Sequence, residues 1–212
     1  MLLLTPVEET VLSHTFAHGL MRAGLALAEM TGHEIIVAAP DVRRCSPADV
    51  IAMAGGPDKV VVGIYLGIGG SLSGHALLML PPDGARRLAR ILLEGVVVPA
   101  GDGAPPGDPF VLDPLEISAL QEVGNVTISA FLNELGMHLH EPVLPSVPQA
   151  VVEMAGAILD AVLVDLSLEA NQVLAARAAF IEGYDAIEGT LLVLPRPESL
   201  GALLEALGVD GQ

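Results

Sequence analysis

Four residues in the second half of the chain, Ser118, Glu122, Asn125 and Ser129, stand at intervals of four, three and four. That spacing makes neighbours of them on a helix surface. They form one line of a carboxylate, an amide and two hydroxyls. A carboxylate so placed can pair with a cationic group, and an amide can hold a water molecule through its donors and acceptor. The plain alternative is the solvated outer face of an amphipathic helix. Pro148 follows Asn125 after 22 intervening residues, and its fixed φ suits a turn beside such a line.

Other residues of chemical interest are more dispersed. His14 and His18 lie one helical turn apart, and His138 and His140 would share one side of a strand, so either pair could chelate a metal. Neither spacing implies a third ligand, and no metal is expected; a metal-dependent hydrolase built on the histidines is the weakest reading. The glycines between Gly67 and Gly74 match neither the dinucleotide pattern nor a phosphate loop ending in Lys-Ser/Thr, and read as a hairpin turn. Arg86, Arg87 and Arg90 form a cationic cluster whose default is a solvated face. Cys45 follows two arginines, which favour its thiolate, although an idle surface thiol is the simpler reading.

The polar line needs a helix to carry it. Asp113-Pro114-Leu115-Glu116 offers a cap residue, Pro at the first helical position and Glu at the third, the start signal of a helix over 113–135. At about 100° per residue, Ile117, Leu120, Gly124, Ile128, Phe131 and Leu135 make its core stripe, well away from the polar line. Thr5-Pro6-Val7-Glu8 opens an equivalent first helix. Each helix is followed by Gly (Gly32, Gly136), an apolar run (33–39, 137–144) and Pro (Pro40, Pro145), the two prolines standing 105 positions apart. In that register the core stripe of the first helix is Leu12, Thr15, Gly19, Ala23, Ala26 and Met30. Ser118, Glu122 and Asn125 then answer to Ser13, Ala17 and Leu20, a degenerate site. A shift by one residue offers His14, His18 and Met21, also without a carboxylate or amide.

The duplication extends further. Strand-like runs 74–81 and 189–195 each close on proline and lead to helices over 83–94 and 198–207. Candidate strands 60–66 and 173–181 precede them at hairpin distance. The expected architecture is α+β: one domain over 1–212 made of two repeats, about 1–95 and 110–210, joined by a Gly- and Pro-rich linker at 96–109, with a mixed or antiparallel sheet and long helices around a pseudo-twofold axis. Segment 148–165 fits helix or strand equally.

Composition narrows the function classes. Nine Lys and Arg against 26 Asp and Glu leave a formal charge of -17, which excludes a nucleic-acid binder working by counterion release. Hydrophobic residues are 52% of the chain, ample for a buried core. A single cysteine permits no internal disulfide, and the N-terminal residues lack the basic flank of a secretory signal. The apolar stretches are broken by glycine or by Asp160 and Asp165. The expected protein is cytoplasmic and does not insert in membranes.

Ser118-x3-Glu122-x2-Asn125 with Pro148, set inside this repeat, resembles the signature of the CheC/CheX/FliY family of chemotaxis phosphatases, and within it the CheC branch most. The order of long helix, strand, hairpin and short helix is similar to the CheC fold over nearly the whole chain. The resemblance implies a hydrolase that removes the aspartyl phosphate of a CheY-type response regulator. Asn125 would position the water, Glu122 would dock on a regulator lysine, and Ser118 and Pro148 would support them. It implies no cofactor of the chain's own, since the regulator supplies Mg²⁺, and it adds the deamidase CheD as a partner. It departs from members that carry the motif in both halves, which leaves one site here. A non-catalytic adaptor of the same fold, binding CheD, a receiver domain or the flagellar switch, is the competing reading.

Overall fold

The computed structural model describes residues 5–94, 111–165, 173–182 and 185–209; the expected linker lies outside them. The elements are α1 (Pro6–Thr31), β1 (Ile35–Cys45), α2 (Pro47–Met53), β2 (Val60–Gly70), β3 (Gly74–Leu80), α3 (Pro82–Leu93), α4 (Pro114–Leu139), β4 (Val143–Pro145), β5 (Gln149–Met154), α5 (Ala155–Asp165), β6 (Val173–Glu182), β7 (Asp185–Pro195) and α6 (Pro197–Ala206). The order helix, strand, helix, hairpin, helix runs through the chain twice, with β4 and β5 together in the place of β1.

The two long helices begin alike for one reason. Thr5 and Asp113 hold extended backbone angles and accept hydrogen bonds from the Glu8 and Glu116 amides, while those glutamates reach back to the cap amides. Each box satisfies two amides that a helix start otherwise leaves without partners. α1 ends on Gly32, whose φ of 70° is the left-handed region that glycine enters freely.

α4 departs from expectation at the same point. It does not stop at Gly136 but continues to Leu139 and closes on His140, at φ 54°. The Gly136 carbonyl accepts the Glu141 amide, and a Cβ on Gly136 would stand 2.9 Å from the Glu141 oxygen. Glycine is needed there for close approach of the returning chain. Residues 137–144 are therefore not one strand, and His138 and His140 do not share a strand face.

All strand pairings are antiparallel, in the order β1-β6-β7-β3-β2-β4, with β5 also paired to β2. β1, from early in the chain, pairs with the late β6. β4 and β5, from the second half, pair with the early β2. β1 runs through Pro40, which falls at the register shift between Ala38 and Asp41 on an outer strand, where a missing amide is tolerated. The ambiguous segment divides: Gln149–Met154 is strand and Ala155–Asp165 helix.

Apolar residues cover both faces of the sheet. Val62, Ile64, Leu78 and Val193 point into the larger core beneath α1, α3, α4 and α6, whereas Val61, Leu77, Met79 and Leu192 point into a smaller one beneath α2 and α5. β3 is buried along its whole length, which is why it reads as an unbroken apolar run. In the larger core Phe16 meets Phe131 edge to face, with ring centroids 5.0 Å apart.

Glycines bring α4 close to its neighbours. A Cβ on Gly19 would stand 2.6 Å from the Phe131 ring, and one on Gly124 would stand 2.3 Å from Ile64 Cγ2. Gly19→Ala and Gly124→Ala should each lower stability, because overpacking costs about 1–3 kcal/mol while the gain in helix propensity is at most about 1 kcal/mol. His140→Gly should raise it by about 1 kcal/mol by relieving the left-handed backbone. Urea unfolding midpoints check all three; unchanged midpoints in both glycine variants would contradict the close packing of α4.

Candidate functional site

α4 is covered on two sides, by α1 and by the sheet. Its buried face is accordingly broader than a narrow stripe, with Ala119, Leu120, Val123, Gly124, Thr127, Ile128, Phe131, Leu132 and Leu135 all inside and Ile117 half-buried. What remains for solvent includes the polar line. Ser118 and Glu122 are exposed, and Asn125 and Ser129 are half-buried.

Within that line the side chains order one another lightly. The Ser118 hydroxyl donates to the Pro114 carbonyl at 2.9 Å, a local bond that turns it away from Glu122. The Ser129 hydroxyl donates to the Asn125 side-chain carbonyl at 3.4 Å, a long contact that still favours one amide orientation. No described residue engages the Asn125 NH₂ group or the Glu122 carboxylate. An amide and a carboxylate thus lie about one turn apart on α4 with hydrogen-bonding capacity that no described residue takes up.

Pro148 reaches the same face through a residue whose type alone gave no signal. The Gln121 side-chain amide donates to the Pro148 carbonyl at 3.3 Å. Gln121 stands one helical turn before Asn125, so this bond sets the turn between β4 and β5 beside that residue.

The first-half register needs correction. α1 and α4 are each 26 residues long, and their first residues, Pro6 and Pro114, stand 108 positions apart. Burial coincides in that register, with Leu12, Leu20 and Leu27 answering to Leu120, Ile128 and Leu135. Leu20, the expected counterpart of Asn125, is 0% exposed and does not belong to an outer-face site, and Ser13 loses its place with that register. Thr10, His14 and Ala17 correspond to Ser118, Glu122 and Asn125. The prolines misled the alignment because Pro40 lies within β1 while Pro145 ends β4. Ala17 remains a site position, now answering to Asn125, and the conclusion that α1 lacks both carboxylate and amide stands.

The histidines are redistributed as well. His18 Nδ1 and Arg22 Nε each lie 3.6 Å from the carboxylate of Glu134, and His138 Nε2 lies 4.0 Å from it. One histidine from each expected pair thus faces a glutamate that is only 7% exposed, His18 across the contact of α1 with α4 and His138 from one turn further along α4. Among the described residues no group of three or more His, Cys, Asp or Glu is arranged to hold a metal. Buried His75 accepts or donates a hydrogen bond at 2.7 Å with the Tyr65 hydroxyl. Arg86 is not merely solvated: it donates to the Val111 carbonyl at 2.8 Å and lies 3.5 Å from Glu116, tying α3 to the start of α4. The glycine-rich run is only in part the expected hairpin turn: Gly67, Gly69 and Gly70 belong to β2 and Gly74 opens β3, leaving 71–73 to turn, and a Cβ on Gly70 would stand 2.4 Å from the Pro142 oxygen. No helix among the described residues is long and apolar enough to cross a membrane.

No protein-family model matches the sequence. It is 25% identical over 187 residues to the CheY-P phosphatase CheC of Bacillus subtilis, covering 87% of this chain and 86% of that protein. The fold is shared with FliY of Thermotoga maritima, at a TM-score of 0.72 and 16% identity over 98% of both chains. The middle domain of FliM from H. pylori is also similar, at a TM-score of 0.67 and 8% identity over 96% of this chain and 99% of that one. A CheX–CheY–BeF₃–Mg²⁺ complex from Borrelia burgdorferi matches at a TM-score of 0.52 and 16% identity, over 86% and 96%. The resemblance to the CheC/CheX/FliY group therefore covers most of the chain, in an α+β fold whose sheet is antiparallel.

The register of α1 is open to direct test. Leu20→Ala should cost about 2–5 kcal/mol, as truncation of a fully buried leucine does, whereas His14→Ala should stay within about 0.5 kcal/mol. Urea denaturation of both variants decides it; a small cost at Leu20 would return that residue to the outer face.

Proposed function

We propose that the chain hydrolyses the aspartyl phosphate of a CheY-type receiver domain, with Asn125 and Glu122 as its working residues. The observation that carries the reading is their juxtaposition: both lie on the outward face of α4, with the Asn125 NH₂ group and the Glu122 carboxylate unengaged by any described neighbour, in a chain similar to CheC across most of its length. The face is convex. Small-molecule sites are concave and enclosing, so a carboxylate and an amide presented on a rod suit a partner that brings its own cavity.

In the reaction a water oxygen forms a bond to phosphorus as the bond from phosphorus to the aspartyl oxygen breaks. Inorganic phosphate and the free carboxylate are the products. Little covalent chemistry falls to the enzyme in such a transfer, and alignment of the nucleophile carries much of the effect. The Asn125 amide, entering the receiver's pocket, accepts a hydrogen bond from that water or donates one to it and holds it in line. The Ser129 contact limits rotation of the amide beforehand. Glu122 pairs with a cationic group of the receiver and fixes the approach, a role suited to a charge on the rim of an interface. The Mg²⁺ of the reaction belongs to the receiver.

A hundredfold acceleration corresponds to about 2.7 kcal/mol, within the range of one well-placed hydrogen-bonding group. A receiver-directed activity also places the protein in the cytoplasm. The competing reading is an adaptor that docks a partner without catalysis. The similarity to FliM and the replacement of the site on α1 by His14 and Ala17 favour it.

One assay separates them. With a phosphorylated CheY-type receiver and Mg²⁺, the wild-type chain should accelerate phosphate loss. Asn125→Ala should abolish the acceleration with its circular dichroism and unfolding midpoint unchanged, and Glu122→Ala should raise KM more than it lowers kcat. Decay at the receiver's own rate with wild type would remove the phosphatase reading and favour the adaptor; full activity in Asn125→Ala would remove that residue from the mechanism.

A further inference from the structure

The turn between β4 and β5 is fastened on either side of one exposed apolar residue. Ser146 is locked to β2: its amide donates to the Gly67 carbonyl at 2.8 Å, and its hydroxyl accepts the Gly67 amide at 2.8 Å. Pro148 is locked to α4 through the Gln121 side-chain amide at 3.3 Å. Val147 lies between these anchors and is 82% exposed. On α4, Gln121 is about 40° around the helix axis from Asn125 at about 100° per residue, so the anchored turn stands beside the amide. Leu115, 36% exposed, lies within about 20° of Glu122 by the same measure, toward the start of the helix.

A single exposed valine ordinarily needs no explanation. This one is held out by hydrogen bonds to two different elements, so little conformational freedom remains for a partner to remove on binding. Apolar contact and charge divide the work at an interface: buried apolar area contributes affinity, and charged groups contribute selection and register.

We propose that Val147, held by Gln121 and Ser146 and seconded by Leu115, is the apolar anchor by which the chain docks the protein whose acyl phosphate Asn125 addresses. The partner surface this fits is an apolar patch beside the phosphorylated pocket, with a cation placed to meet Glu122. The inference rests on the function proposed above for occupant and site. Gln121 is a positioning residue: it acts through the turn and leaves the reacting atoms to Asn125.

The test measures binding and turnover separately. Binding uses a CheY-type receiver loaded with beryllofluoride and Mg²⁺; turnover uses the phosphorylated receiver. Val147→Asp should weaken binding about tenfold or more and raise KM in proportion, with kcat within about twofold, while Val147→Leu binds as wild type does. Gln121→Met, which keeps the volume and removes the donor, should weaken binding several-fold, and its effect should largely vanish in a Val147→Asp background because the two act through one contact. Asn125→Ala should bind normally. Unchanged affinity in Val147→Asp, or independent effects of the Gln121 and Val147 variants, would overturn the docking role while leaving the phosphatase reading in place. Wild type that binds, loses affinity in Val147→Asp and yet hydrolyses nothing would support the docking role and remove the phosphatase reading. Wild type that does not bind the receiver would overturn the docking role.

Discussion

The close seat of α4 against both α1 and the sheet is the constraint on which the rest depends. Gly124 allows the helix to come down onto Ile64, and Gly19 lets the Phe131 ring enter the contact with α1. With two sides covered, α4 has little freedom to roll, and the strip it presents to solvent is set by the packing beneath. An interior near crystalline density transmits such placement rigidly. Asn125 and Glu122 owe their outward direction to residues that never face solvent.

The sheet reinforces this by exchange. β1 leaves the early part of the chain to pair with β6, while β4 and β5 come from the later part to pair with β2. Neither long helix can shift on its own without disturbing strands contributed by the other portion. The same exchange delivers the β4–β5 turn to the side of α4, since β5 must lie along β2 and β2 passes beneath the helix at Ile64. A site assembled from one helix and one distant turn follows from strand order.

Charge has a complementary part. On a chain with a formal charge of -17, long-range attraction favours partners with positive potential around their binding surface, and Glu122 is one of the carboxylates exposed to them. The buried Glu134, facing His18 and Arg22 across the helix contact, is a different use of the same residue type. It links α1 to α4 within the molecule, whereas Glu122 stands exposed on the surface of α4.

Much of the site was legible in the sequence because its information is local. Capping boxes announced both helix starts, three- and four-residue spacing gathered Ser118, Glu122, Asn125 and Ser129, and apolar runs bounded by proline and glycine marked most strands. These signals depend on neighbours within a turn or two of chain. The alignment of α1 with α4, the continuation of α4 past Gly136, the gathering of His18 and His138 at Glu134, and the bonds from Gln121 to Pro148 and from Ser146 to Gly67 were not legible. Apart from the one-turn step from Glu134 to His138, these depend on contacts between segments far apart in the chain, which leave no periodic trace. Types and spacings alone determined which side chains share a face of α4; only tertiary packing decided how far that face is turned to solvent and what stands beside it, because burial is a property of contacts between elements and not of any one element.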